Sequence, residues 1–294
     1  MNVFNDLKLQ FRTGDATTKL IYWNIGLFVI PTIFFGLLQL FKIRIEYLDF
    51  VSLSTVPGAL LWKPWSIVSY AFFHNGIFHI LFNMLMLNFA GKLFATFFTQ
   101  KQLLSLYFVS ALFGGVVYII SYFVFPALAN STVSMVGASG AVMAILVATA
   151  TYQPTMEIRL LLLGNIKLIY FVLFLLVIDL IQLPMNNTGG HLAHLAGAFY
   201  GYFYVKQLQN GTDITKWFSL SIDFCTTLVY PKKATPFKTV HVNPRKPIEK
   251  TQSKIVTKNK TQQQVDLILD KISKSGYDSL DQDEKEFLFK MGSN

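Results

Sequence analysis

The chain has 294 residues, 53% of them hydrophobic and only 14% charged, with a formal net charge of +9 and a mean hydropathy of +0.45. A soluble domain this apolar would have too little polar surface to stay in solution, so the composition points to a membrane protein with several spans. The single cysteine, Cys225, excludes an internal disulfide and gives no support to a disulfide-stapled secreted fold.

Residues 1–19 have no clear apolar core and no small-residue cleavage site, so they read as a cytoplasmic N-terminal segment and not as a removable signal peptide. Windows of about 20 apolar residues, the length of a spanning helix, then fall at six places. They are 20–41, 77–98, 103–125, 132–152, 168–184 and 191–209, and they predict an all-α polytopic bundle over residues 20–209. A long aromatic-rich connection, 42–76, separates the first two. The fifth window is short, and the LLLLGNIK run before it (160–167) reads either as an interfacial loop or as its first turns. No repeat with a period of about 20 to 50 residues is visible.

Beyond the last window, residues 210–262 read as a basic, Pro-containing linker with little hydrophobic periodicity. The final segment, 263–294, predicts a small helical hairpin. Val265, Ile268, Leu269 and Ile272 keep helical spacing up to Gly276, and Ser279 opens a second helix. Residues 232–260 hold nine Lys or Arg against one Glu, whereas 266–290 hold seven acidic residues against four lysines. A basic stretch beside a span faces anionic lipid head groups. No aromatic-interleaved RNA motif accompanies it, so nucleic acid is not an expected partner.

The loop charges set a direction. Connections near 126–131 and 185–190 carry no charge, while those near 99–102 and 153–167 carry Lys101, Arg159 and Lys167. Positive residues prefer the cytoplasm, which predicts both termini inside a cell membrane, although Lys42 and Arg44 count against it. The second, fourth and sixth windows then all run inward. Each begins with its unusual polar residues: His79 and Asn83, then Ser139, then His191 and His194. All lie within roughly 10 Å of the outer helix ends at the rise of an α-helix. Three helices thus bring polar side chains to one depth.

A serine with a histidine from another helix is a nucleophile with its general base. Ser139 and His194 form that pair, and no carboxylate is expected at their depth, so a two-residue dyad is predicted. Asp179, the only acid inside a window, reads as a hydrogen-bonded structural or interface residue. Asn83, four residues after His79 on the same helix face, offers an amide donor for an oxyanion beside the Ser139 backbone N–H. Alternatively, Asn83 is interhelical glue. Gly197 and Gly201 after His194, and Gly140 with Ala144 after Ser139, form small stripes that let helices approach closely.

Taken together, PWSIVSYAFFHNGIFHILFNM, GASGAVMA and HLAHLAGAFYG resemble the rhomboid family of intramembrane serine proteases over roughly residues 20 to 205. The resemblance implies a six-transmembrane-helix bundle, to which the loop charges add a cytoplasmic C-terminal tail. It also implies cleavage of transmembrane segments of membrane-protein substrates, with no cofactor and no metal. Ser139, in its Gly137-x-Ser139-Gly140 setting, matches the nucleophile and His194 the base; His79 and Asn83 match the oxyanion-side pair. Trp65 fits a membrane-lying loop after the first span, and His74 matches a further histidine. His191 has no catalytic counterpart. Two positions depart from the pattern: Ser66 follows Trp65 where an arginine is common, and Met143 stands where an aromatic often stacks on the catalytic imidazole. The segment 168–190, with its PMNNTGG loop, resembles a gate and cap.

Two other classes fit parts of the sequence. One is an inactive relative that binds membrane proteins without cutting them, disfavoured because Ser139 and His194 are both present. The other is a metal or haem protein using His74, His79, His191 and His194, which lacks an H-E-x-x-H motif and a nearby carboxylate or cysteine ligand.

Overall fold

Asp15 begins the first long helix by accepting a 2.7 Å hydrogen bond from the Thr18 N–H, the usual way a carboxylate satisfies an orphan donor at a helix start. In the computed structural model, which describes residues 2–129, 131–160, 164–185, 187–229 and 260–292, that helix is α2, Ala16–Leu40, preceded by a short α1, Val3–Thr13, capped by Asn2. Helix α1 lies in the segment read from sequence as a simple N-terminal extension. The chain divides into two compact units, Met1–Lys232 and Lys233–Asn294. Its described residues are mostly helical, 74%.

The aromatic-rich connection after α2 folds into short pieces: α3 (Leu48–Val51), β1 (Leu53–Ser54), α4 (Pro57–Trp62), α5 (Ser66–Ser69) and a 3-10 turn, Tyr70–Phe72. Long helices resume with α6, Ile77–Phe94, and α7, Gln100–Val124, the latter opened by a Thr99–Gln102 capping box. A short strand, β2 (Ser134–Met135), pairs antiparallel with β1 in the register Leu53↔Met135 and leads into α8, Ser139–Tyr152. A second hairpin follows, β3 (Glu157–Leu160) with β4 (Gly164–Lys167). Helix α9 (Leu168–Gln182), helix α10 (Thr188–Gln209) and helix α11 (Lys216–Val229) complete the unit.

Helices α2, α6, α7, α8, α9 and α10 fall on the six apolar windows. Three of them, α2, α6 and α7, are long and apolar enough to cross a membrane; α8 and α9 are apolar but shorter. Over its most apolar stretch α7 is 56% buried inside the protein and α2 only 11%, so α7 is a central helix and α2 a peripheral one. Phe78, Phe82 and Leu85 of α6, and Leu173, Phe174 and Val177 of α9, are exposed, as expected of surfaces solvated by lipid.

Four expectations need correction. The fourth helix does not start near residue 132: Ser134 and Met135 are extended because they pair with β1, and the helix begins at Ser139 itself. The segment before α9 is neither loop nor helix but a β-hairpin, with Glu157 opposite Lys167 and Ile158 opposite Ile166. Of its leucine run, 161–163 lie outside the described residues. The two small sheets qualify an all-α description. Part of the supposed linker is the amphipathic helix α11, held to α7 by a 2.7 Å Lys101–Asp223 ion pair and by Phe218 stacked on Phe108 at 5.2 Å. The remainder of that linker, 230–259, lies outside the described residues.

The second unit is a hairpin of α12 (Lys260–Ser275) and α13 (Gln282–Gly292). Ser279 belongs to a 3-10 turn between them. The cap of α13 is Asp281, which accepts from the Glu284 N–H at 2.8 Å while Glu284 accepts from the Asp281 N–H at 3.0 Å.

Candidate active site

Ser139 owes its position to the turn before it. Gly137 has φ +136°, a region that favours glycine, and its N–H donates to the Tyr70 carbonyl at 2.9 Å. The extended lead into the turn is pinned further back, where Thr55 Oγ1 donates to the Ser131 carbonyl at 3.0 Å and the Thr55 N–H donates to the Val133 carbonyl at 3.1 Å. Tyr70 is itself fixed by donating to the Ala111 carbonyl of α7 at 2.7 Å. Ser139 therefore stands at the first position of α8, where backbone N–H groups have no partner inside the helix.

His194 reaches it from α10 because α8 and α10 touch backbone to backbone. A Cβ at Gly197 would overlap the Gly140 carbonyl, and one at Gly201 would overlap the Ala144 carbonyl. Across this contact His194 Nε2 lies 2.6 Å from Ser139 Oγ, a direct hydrogen bond.

On the other side of the serine are the α6 residues. His79 Nδ1 accepts from the Asn75 backbone N–H at 3.3 Å, which puts the ring proton on Nε2. That nitrogen faces Gly137, where an added Cβ would stand 2.9 Å from it. Asn83 is buried, and one of its amide N–H bonds donates to the His79 carbonyl at 2.9 Å, which leaves the second as a donor.

Two cavities meet at this point. A polar one of about 430 Å³ is lined by Tyr70, Asn75, His79, Asn83, Ser139 and His194 among others. An apolar one of about 230 Å³ opens between α6 and α9, with Phe82, Met86, Met143, Leu175 and Ile178 in its walls. Ser139, Asn83 and His194 line both.

Ser139, His194, His79, Asn83 and the glycines 137, 140, 197 and 201 are thus brought together. His74 is adjacent and buried, its ring 5.0 Å from that of His79. Burial, reinforced by His79, pushes its imidazole down to about 3. Trp65 stands apart: its indole N–H donates to the Phe50 carbonyl at 2.8 Å and ties α5 to α3. Ser66 is buried, and Met143 is partly buried in the wall of the apolar cavity.

The expectation that no carboxylate lies at the level of the serine is wrong. Asp179 Oδ1 is 2.9 Å from His194 Nδ1 and 2.7 Å from His191 Nδ1, with only 7% of the Asp179 side chain exposed. The signal was present as a symmetry. The turn between α9 and α10 centres near Met185, so residues 179 and 191 lie six positions to either side of it and face each other across an antiparallel hairpin. His194, one turn beyond His191, shares its helix face.

The same three residues offer ligand atoms within 4.8 Å of one another, so the carboxylate that a histidine metal site lacked in the sequence is in fact present. Both Nδ1 atoms are already bonded to one carboxylate oxygen, however, and His194 Nε2 is engaged with Ser139.

A family model described as Rhomboid domain matches residues 61–209, about half of the chain. The chain belongs to the rhomboid family. The matched region runs from the end of α4 to the end of α10 and contains His79, Asn83, Ser139, Asp179, His191 and His194. A second model, Family of unknown function (DUF6576), matches residues 255–291, over the helical hairpin. No curated protein matches the chain. Membership and the apolar helices together identify a membrane protein.

Proposed function

We propose that this rhomboid is an intramembrane serine endopeptidase that cleaves transmembrane segments of membrane-protein substrates. The observation that carries this reading is the 2.6 Å hydrogen bond between Ser139 Oγ and His194 Nε2. As Oγ attacks a peptide carbonyl carbon, Nε2 takes the hydroxyl proton and the carbonyl π pair moves onto oxygen. His79 Nε2–H, the free Asn83 amide hydrogen and the backbone N–H of Ser139 surround the space for that oxyanion. His194 then protonates the departing amine, and the acyl-enzyme is released by water deprotonated by the same imidazole.

The two cavities suit the two reactants. The polar cavity supplies water, and the apolar opening between α6 and α9 suits a lipid-embedded segment. Helix unwinding is needed before attack, because a helical amide is shielded by its own bonds; substrates with helix-weakening residues and a small residue before the cleaved bond are expected. The loop charges favour six crossings of a cell membrane, with both termini cytoplasmic and Ser139 toward the outer face. The basic stretch 232–260 then meets anionic lipid head groups of the inner leaflet.

The test is labelling of the solubilised protein with a serine-directed fluorophosphonate. Wild type is expected to label, and Ser139→Ala and His194→Ala are expected to lose at least about 99% of the rate. A folded wild type that stays unlabelled in several lipid mixtures would move the assignment to a membrane-protein binder that does not cut.

A further inference from the structure

Starting from the Ser139–His194 reading, we infer that Asp179 is a third member of the site: a positioning residue that fixes the tautomer and the orientation of His194, with His191 holding the carboxylate in place.

His194 can act as base toward Ser139 only if Nε2 carries a lone pair, so its single proton must sit on Nδ1. A neutral imidazole left to itself is not confined to that form. Asp179 confines it, because a carboxylate oxygen 2.9 Å from Nδ1 can only accept and therefore demands a proton there. The bond also turns the ring, and its direction is the one that aims Nε2 at Ser139 Oγ, 2.6 Å away. His194 meets His191 edge-on at 5.8 Å, and Met143, which lines the same apolar cavity as His194, is not aromatic. Orientation of the imidazole therefore falls to the hydrogen bond.

The carboxylate is in turn held. His191 Nδ1 donates to the same Oδ1 at 2.7 Å, and Asp179 belongs to a regular turn of α9. Side-chain exposures of 7% for Asp179 and 11% for His191 show that the pair is largely withdrawn from solvent, which strengthens both bonds. An acid in a membrane helix with no task is costly. Here it meets two donors, and one of them is the base. When His194 accepts the proton from Ser139, it becomes an imidazolium with Asp179 already beside it, and no group has to move to meet the charge.

Two measurements test this assignment. The first is the nitrogen NMR spectrum of histidine-labelled wild type in lipid nanodiscs, with His194 assigned by its loss in His194→Gln. The His194 signals are expected to show Nδ1 protonated and Nε2 bare at neutral pH. A protonated Nε2 would overturn the proposal, whether or not the protein cuts anything. The second compares fluorophosphonate labelling rates of wild type, Asp179→Asn and Asp179→Glu, each checked for a cooperative thermal transition. Asp179→Asn is expected to lose up to about 10⁴ in rate, the loss typical of an uncharged isostere behind a catalytic imidazole. Asp179→Glu, which keeps the charge, is expected to recover at least about tenfold over it. A folded Asp179→Asn labelling within about threefold of wild type would remove Asp179 from the site and leave the serine reading intact. An unlabelled wild type with the expected His194 tautomer would do the reverse. If the Asp179 variants do not fold, the wild-type tautomer decides alone.

Discussion

Gly137 and His79 share a space with no room for a methyl group: a Cβ on the glycine would stand 2.9 Å from Nε2 of the histidine. The glycine also holds a φ of +136°. Both constraints act on the turn that presents Ser139, so Gly137→Ala is expected to displace the serine and the oxyanion-side histidine together. The labelling rate should drop at least about tenfold, since strain of about 1–3 kcal/mol is typical of such a residue forced into this region. A rate unchanged from wild type would mean that the turn relaxes without moving Oγ.

The α8–α10 contact makes a different prediction. Gly197→Ala and Gly201→Ala each place a methyl on a backbone carbonyl of the facing helix, and a carbonyl cannot rotate away as a side chain can. Each is expected to cost about 1–3 kcal/mol by overpacking, read as a lower midpoint in detergent unfolding. Gly26→Ala and Gly36→Ala in α2, where nothing lies within 4 Å of an added Cβ, serve as controls and are expected to leave the midpoint unchanged or raise it.

Asn83 carries a prediction about rate alone. Asn83→Ala removes the free amide hydrogen near the oxyanion space while leaving the α6 backbone bonds in place. Loss of one such donor is typically worth about 10²–10³ in rate, so labelling should slow by that order with the unfolding midpoint little changed. A large fall in midpoint with an unaltered rate would instead make Asn83 an interhelical tether.

His74 predicts a pH dependence of stability. Its folded-state value, about 3, lies below the usual 6.5. The unfolded chain therefore binds a proton below pH 6.5 that the folded chain refuses, and stability falls as pH drops from there toward 3. Replacing His74 by Leu removes this contribution. The unfolding midpoint of His74→Leu should decline less than that of wild type between pH 7 and pH 4.5; parallel declines would assign the acid sensitivity to other groups.

The clustering of Ser139, His194, His79 and Asn83 was legible in the sequence because each lies near the start of a helix window, a pattern that one-dimensional spacing preserves. Asp179 was not read as a partner. It stands at the far end of its helix, and only the length of the turn around Met185 places it opposite His191. Ser134 and Met135 were mistaken for helix because their apolar, uncharged context is shared by a buried strand; the residue that decides between them is Leu53, some eighty positions earlier. Helix α11 escaped notice for a related reason. Its amphipathic stripe begins at Trp217 and is short, and its one acid, Asp223, has its partner far off in sequence, at Lys101 on α7.

The glycine contact between α8 and α10 sets apart what is rigid in this site from what is not. Serine and histidine ride on two helices locked backbone to backbone, so their 2.6 Å bond survives any motion that keeps the pair together. Asp179 rides on a third helix, which also walls the apolar cavity. A shift of α9 by about 1 Å is enough to carry its carboxylate out of hydrogen-bond range of Nδ1. On the proposed reading, a movement of α9, one wall of that cavity, would part the carboxylate from His194 while leaving Ser139 and His194 together.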